Sequence, residues 1–223
     1  MAELTESLGR LIQEFSRLPG IGRKSAERIA YYLLRQSTEE AMKLADAIRA
    51  VKENVRYCRV CYNLSEEELC SICRGRNRRR DILCIVEQPR DLVAIEQTGR
   101  YDGLYHVLLG RINPSDGTTA DQLTIDALIE RVRVSRQKSV GGSRSGSDAE
   151  QVPIREVIMA TNPTTDGDGT AFYISNRLTE LTSESAIDPL RVTRLARGIT
   201  SGSVLEFANR EILTDALVGR QIF

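Results

Sequence analysis

Tryptophan is absent from this chain of 223 residues, aromatic side chains make up only 5% of it, and His106 is the sole histidine. So few aromatics argue against base stacking as the main mode of nucleic-acid recognition. With no second imidazole, and no serine or cysteine arranged as a nucleophile, acid–base or covalent hydrolysis has little to work with. His106 lies in an apolar stretch and reads as a satisfied core or interface histidine. Net charge is missing as well: 31 basic residues balance 31 acidic ones. No global basic field advertises nucleic acid, so any DNA contact has to come from local clusters. No apolar run reaches membrane-spanning length and no secretory leader is apparent, which points to the reducing cytoplasm and to no membrane partner.

What is present is more pointed. Four of the five cysteines fall as Cys58-x2-Cys61-x8-Cys70-x2-Cys73. Two CxxC knuckles can present four thiolates to one Zn²⁺, and disulfides are the alternative that a reducing compartment disfavours. The eight-residue spacer is too short for a separate domain. The finger therefore reads as a staple whose folding draws on metal binding, fixing the angle between the elements beside it. The fifth, Cys84, lies in Ile82-Leu83-Cys84-Ile85-Val86 and reads as a small buried hydrophobe.

Residues 1–57 read as helical. Leu4, Leu8, Leu11, Ile12 and Phe15 recur at helical spacing before Pro19. A second helix carries Ala26, Ile29, Ala30, Leu33 and Leu34. A third, with Thr38 as its expected N-cap, carries Ala41, Leu44, Ala45, Ile48, Val51 and Val55. Between the first two stands Leu18-Pro19-Gly20-Ile21-Gly22. Gly20 and Gly22 lack Cβ atoms and let the backbone approach a phosphate, while Lys24 and Arg28 add charge one helical turn apart. This is the pattern of a helix-hairpin-helix that grips DNA backbone without reading sequence. A plain interhelical turn is the bland reading.

Arg74, Arg76, Arg78, Arg79 and Arg80 follow the last zinc ligand. They suit phosphate or partner contact and a solvated loop equally well. Periodicity then changes. Apolar runs at Ile82–Val86, Leu104–Leu109, Val157–Ala160 and Val192–Ala196 alternate with helical stretches at Arg90–Gln97, Leu123–Val134 and Thr170–Leu181. That alternation predicts an α/β fold with a doubly wound parallel sheet. Ligand sites on such sheets lie at the carboxyl ends of the strands, where Glu87 and the stretch Asn162–Asp168 fall. Residues 138–149, rich in Gly and Ser, read as a flexible surface insert.

In this order the hairpin, the finger, Ile85-Val86-Glu87, Gly99-x-Tyr101-x-Gly103-x-Tyr105-His106-Val107-Leu108, Ala160-Thr161-Asn162-Pro163-Thr164 and Thr193-Arg194-Leu195-Ala196-Arg197-Gly198 resemble the bacterial RecR family along nearly the whole chain. The resemblance implies a helix-hairpin-helix region, a four-cysteine zinc finger over 58–73, a Toprim-like domain over about 80–180 and a C-terminal segment over 181–223 used in subunit contacts. It also implies a dimer or ring-like tetramer that clamps DNA near the nucleoid. The clamp works with RecO, and in some settings RecF, to load recombinase at single-stranded gaps.

Catalytic Toprim enzymes need a glutamate after the first strand and an Asp-x-Asp pair after a later one to hold Mg²⁺. Glu87 meets the first requirement. Asn162-Pro163-Thr164 fails the second, and Asp166 and Asp168 are poor substitutes that would hold a cation only weakly. The expected protein is a non-enzymatic DNA repair mediator with one structural zinc, Gly20, Gly22, Lys24 and Arg28 on DNA, and Glu87, Asp166 and Asp168 as partner contacts or vestigial acids. The alternative is a Mg²⁺-dependent nuclease or primase. The chain departs from the family at Asp166-Gly167-Asp168, where Glu-Gly-Glu is usual, at Thr200-Ser201-Gly202-Ser203 and at Asn209.

Overall fold

The computed structural model describes residues 5–137, 152–183 and 189–220. The Gly/Ser-rich insert at 138–149 lies outside the described residues. The chain divides into two compact units, Met1–Val55 and Arg56–Phe223.

In the first unit, α1 (Glu6–Ser16) packs on α2 (Arg23–Arg35), with α3 (Thr38–Asn54) following. Ile12, Ala26 and Ala30 are buried together, flanked by Leu8, Phe15 and Ile21. Alanines at the contact let the two backbones approach closely. Ser37, rather than the expected Thr38, caps α3: its hydroxyl accepts the Glu40 N–H at 3.2 Å. Ser37 is the extended residue, at ψ 152°, whereas Thr38 is already inside the helix. The apolar stripe of α3 buries no residue, and Ile48 and Val51 remain 57% and 58% exposed.

The second unit opens with a small hairpin, β1 (Arg56–Tyr57) against β2 (Leu64–Ser65), and a short helix, α4 (Ser71–Arg74). The elements β3 (Ile82–Val86), α5 (Pro89–Gln97), β4 (Leu104–Val107), α6 (Ile125–Gln137), β5 (Glu156–Ala160), α7 (Thr165–Ser183) and β6 (Arg191–Arg194) follow, then α8 (Arg210–Val218). The strands form one parallel sheet in the order β4-β3-β5-β6. Leu83, Ile85, Leu128, Val132, Ile174 and Leu178 bury one face. Cys84, Val86, Leu92, Tyr105 and Val107 bury the other, and Cys58, Cys61 and Cys70 belong to that same cluster. Two covered faces explain why β3 is a continuous apolar run instead of an alternating one. The finger is thus part of the second core layer.

One boundary differs from the sequence reading. The stretch Thr165–Gly169, with two glycines, reads as loop but forms the first turn of α7. Thr164 Oγ1 accepts the Gly167 N–H at 3.1 Å, and the Asp168 N–H reaches the Thr164 carbonyl at 2.8 Å. Asp166 and Asp168 in that turn complement the positive helix end. Local capping outweighs the weak helix propensity of glycine.

His106 sits fully buried in β4. The network assigns a proton to Nε2, which is shared between the Thr124 carbonyl and hydroxyl oxygens at 3.1 and 3.0 Å, while Nδ1 has no partner among the described residues. Burial lowers its pKa to about 3, helped by the nearby Arg131 charge. The unfolded chain binds this proton near pH 6.5 and the folded one does not, so stability falls as pH drops from about 6.5 to 3. In denaturant titrations across that window, His106→Gln, which keeps a donor for Thr124, should show a shallower acid loss than the parent.

Candidate metal centre and nucleic-acid interface

The four finger sulfurs lie within 4.8 Å of one another, with Cys61 Sγ and Cys70 Sγ 3.5 Å apart. All five cysteines are free thiols. A Zn–S bond of ~2.3 Å makes a tetrahedron with edges a little under 4 Å, so the cluster fits a zinc ion. Its acid–base chemistry agrees. Hydrogen bonds from Cys61 and Cys73 lower the pKa of Cys70, while the same contacts and burial raise Cys61 and Cys73. Thiols this close oppose one another's ionisation, and a divalent cation supplies the charge that four thiolates need. Cys58, Cys61, Cys70 and Cys73 therefore form one structural zinc site, as their spacing predicts. Among the described residues, no other group of three or more histidine, cysteine or acidic ligands comes together.

In the hairpin, Gly20 takes φ +78°, a left-handed conformation that favours glycine, and a Cβ there would meet nothing within 4 Å. Gly22, the N-cap of α2, provides no side-chain cap. The first amides of α2 are thus left without a cap beside open space, as an anion site requires. Lys24 and Arg28 are exposed on α2. Arg23 is engaged by Glu27 at 3.2 Å, and among the described residues neither Lys24 nor Arg28 has an ion-pair partner.

The arginine run divides. Arg78 reaches the Glu96 carboxylate with both Nη atoms and the carbonyl oxygens of Tyr101 and Gly103 at 3.3 and 3.4 Å. Tyr105 donates its hydroxyl to Glu96 at 2.7 Å, and Arg78 holds the Glu96 pKa below the usual carboxylate range. Arg79 pairs with Asp81 at 2.9 Å, and Arg74 with Glu67. Arg78 braces the fold, Arg74 and Arg79 sit in exposed pairs, and Arg76 and Arg80 have no ion-pair partner among the described residues.

At the carboxyl end of the sheet, Glu87 is only 2% exposed. Its oxygens accept the Asn162 backbone N–H and side-chain amide, each at 2.8 Å. Arg111 lies 3.9 Å from Glu87 and 3.3 Å from Asp166. Arg194 and Arg197 both bind Asp168, and Arg197 also approaches Asp215 at 3.8 Å. Partial desolvation opposes ionisation of Asp168, but the two guanidinium hydrogen bonds outweigh it and its pKa falls below the usual aspartate value. Every sequence-predicted acid here is engaged, Glu87 as an interior brace and Asp166 and Asp168 in ion pairs nearer the surface. Sequence reading missed Arg111, Arg194, Arg197 and Gly167. Only the Arg-x-x-Arg spacing of the C-terminal motif hinted at two cations facing one acid.

Gly167 is fixed by contact: a Cβ would sit 2.1 Å from the Asn162 carbonyl oxygen and 2.8 Å from Glu87 Oε1. The Asp-Gly-Asp order thus follows from the brace, since the central residue has to be bare.

Comparison with known proteins decides the family. Residues 8–52 match the RecR helix-hairpin-helix model, 55–75 the RecR four-cysteine zinc finger model and 81–196 the Toprim domain model. The chain is 57% identical to a Recombination protein RecR of Rhodopirellula baltica over 95% of its length and 94% of that protein. Relatives of the same name in Rubrobacter xylanophilus and Chloroflexus aggregans are each 46% identical, over 99% and 96% of this chain and 99% and 93% of their own lengths.

The chain belongs to the RecR family. Its zinc site lies within the stretch matched by the RecR finger model, and the acid–arginine cluster within the Toprim match, apart from Arg197 and Asp215. Among the described residues, no helix is long and apolar enough to cross a membrane.

Two glycines in this RecR-family chain separate packing from propensity. Gly169 faces open space, so Gly169→Ala should stabilise by up to ~1 kcal/mol through helix propensity. Gly167→Ala should instead cost about 2 kcal/mol by overpacking. Thermal melts of the two variants, moving in opposite directions, check the brace.

Proposed function

We propose that this chain is a DNA repair and recombination mediator that acts without catalysis, as an oligomeric clamp on DNA backbone. The observation that carries the proposal is the open N-terminus of α2, with a left-handed Gly20, an uncapped Gly22 and, exposed on the same helix without an ion-pair partner among the described residues, Lys24 and Arg28. A phosphate placed there meets backbone amides, a helix dipole and two cations, none of which reads a base. One such site binds weakly. Several on one assembly gain through effective concentration.

Self-association is supported by the apolar side chains left at the surface. The groove between α1, α2 and α3 is lined by Leu8, Leu11, Phe15, Leu33, Leu44 and Ile48. At the other end of the chain Phe207, Leu217 and Val218 are exposed. Surfaces of this kind mark interaction sites. The proposed partners are further copies of this chain, RecO and, in some settings, RecF. Of the three acids, Asp166 and Asp168 are the ones a basic partner surface would reach first, since Glu87 is enclosed.

The non-catalytic reading rests on Glu87, Asp166 and Asp168 having guanidinium or amide partners where a two-metal enzyme would need free carboxylates. The rival Mg²⁺-dependent nuclease or primase makes the opposite demand. Incubation of labelled DNA with Mg²⁺ or Mn²⁺ should leave the strand intact. Cleavage that disappears in Glu87→Gln would replace the mediator by an enzyme.

For DNA binding, Lys24→Glu with Arg28→Glu should abolish the mobility shift while light scattering and circular dichroism stay those of the parent. In the parent, log affinity should fall linearly with log salt, and each phosphate contact removed should flatten that slope by ~0.9. A double variant that binds with unchanged affinity and slope would discard the hairpin as the contact.

A further inference from the structure

We infer that Arg131 is the counter-ion of the zinc tetrathiolate, so that a residue of α6 retains the metal in the finger. Four thiolates on one Zn²⁺ leave two negative charges inside the protein, and a buried charge needs a partner. Arg131 is a cation whose guanidinium reaches the knuckle that holds them. Its Nη1 donates to the Tyr105 carbonyl of β4 at 2.7 Å and approaches the Val60 carbonyl at 3.4 Å. Val60 lies within the first CxxC knuckle, between Cys58 and Cys61. The same knuckle is tied to the sheet by the Val107 N–H, which donates to the Cys61 carbonyl at 2.8 Å.

Among the described residues no carboxylate pairs with Arg131, and the acids beside it on α6 are committed elsewhere: Glu130 to Arg133 at 2.7 Å and Asp126 to Arg177 at 3.0 Å. Burial lowers the arginine's pKa, while Cys73, Cys61 and Cys58, in that order, push it back up. A guanidinium stays charged under all working conditions, which makes it a permanent counter-charge rather than a switch. It touches the knuckle through the Val60 carbonyl and acts on the sulfurs through its field, so it is a positioning residue of the metal site. Groups of this outer kind are worth about 10–100-fold in metal affinity.

The decisive measurement is zinc affinity of the full chain by competition with a chromophoric chelator. Arg131→Met should bind zinc ~10–100-fold more weakly, and Arg131→Lys should stay within about threefold of the parent. Arg133→Met, which removes a surface pair only, should match the parent. With Co²⁺ in place of zinc, the sulfur-to-cobalt charge-transfer band should move to lower energy in Arg131→Met, because the thiolates lose a stabilising charge. A folded Arg131→Met with parental affinity and an unmoved band overturns the inference. If Arg131→Met does not fold, Arg131→Gln, which keeps a donor for the carbonyls and drops the charge, decides: a tenfold loss of zinc affinity upholds the counter-ion role, and parental affinity overturns it.

Discussion

Four sulfurs held within 4.8 Å of one another can ionise together only around a divalent cation, and the lower layer of the second unit is built on that constraint. Cys58, Cys61 and Cys70 share a core with Cys84, Tyr105 and Val107. The finger therefore closes one face of the Toprim sheet as a helix would, and metal binding contributes to the stability of that face as well as to the knuckle. The hydrogen bond from Val107 to Cys61 and the Arg131 bridge carry the constraint into β4 and α6. A chain with few aromatics thus fills a core layer with thiols and a metal.

At the carboxyl end of the sheet, three acids are held by amide and guanidinium partners. One carboxylate follows β3 and two more stand at the start of α7. Here Asn162 holds Glu87 from two sides, and Arg111, Arg194 and Arg197 neutralise Asp166 and Asp168. They also tie β6 and α8 to the head of α7, through Arg194 and through Arg197 with Asp215. The cluster reads as a structural joint between the Toprim sheet and the C-terminal segment.

Much of this was legible from residue order. The cysteine spacing located the zinc site, because ligand count and knuckle geometry are local properties. The continuous apolar run of Ile82–Val86 located a strand buried on both faces, because burial sets composition. The strand–helix alternation pointed to the parallel sheet. Less legible were the features made by meetings between distant residues. The Thr165–Gly169 turn looked like loop, since propensity sees two glycines but not the Thr164 cap or the Asn162 carbonyl against Gly167. The arginine run looked uniform, yet Arg78 reaches across eighteen positions to Glu96 and Arg76 reaches no carboxylate among the described residues.

By itself, then, the sequence determined what short-range chemistry can encode: a four-cysteine metal knuckle, a glycine turn at a helix start with cations beside it, and an α/β alternation with its charge balance. Tertiary structure alone decided which charges are occupied. Arg111 lies 55 residues from Asp166 and Arg194 lies 26 from Asp168, and Arg131 comes from a different element than the knuckle it reaches. Pairing over such separations depends on where the sheet brings chain segments together, and no local spacing records that.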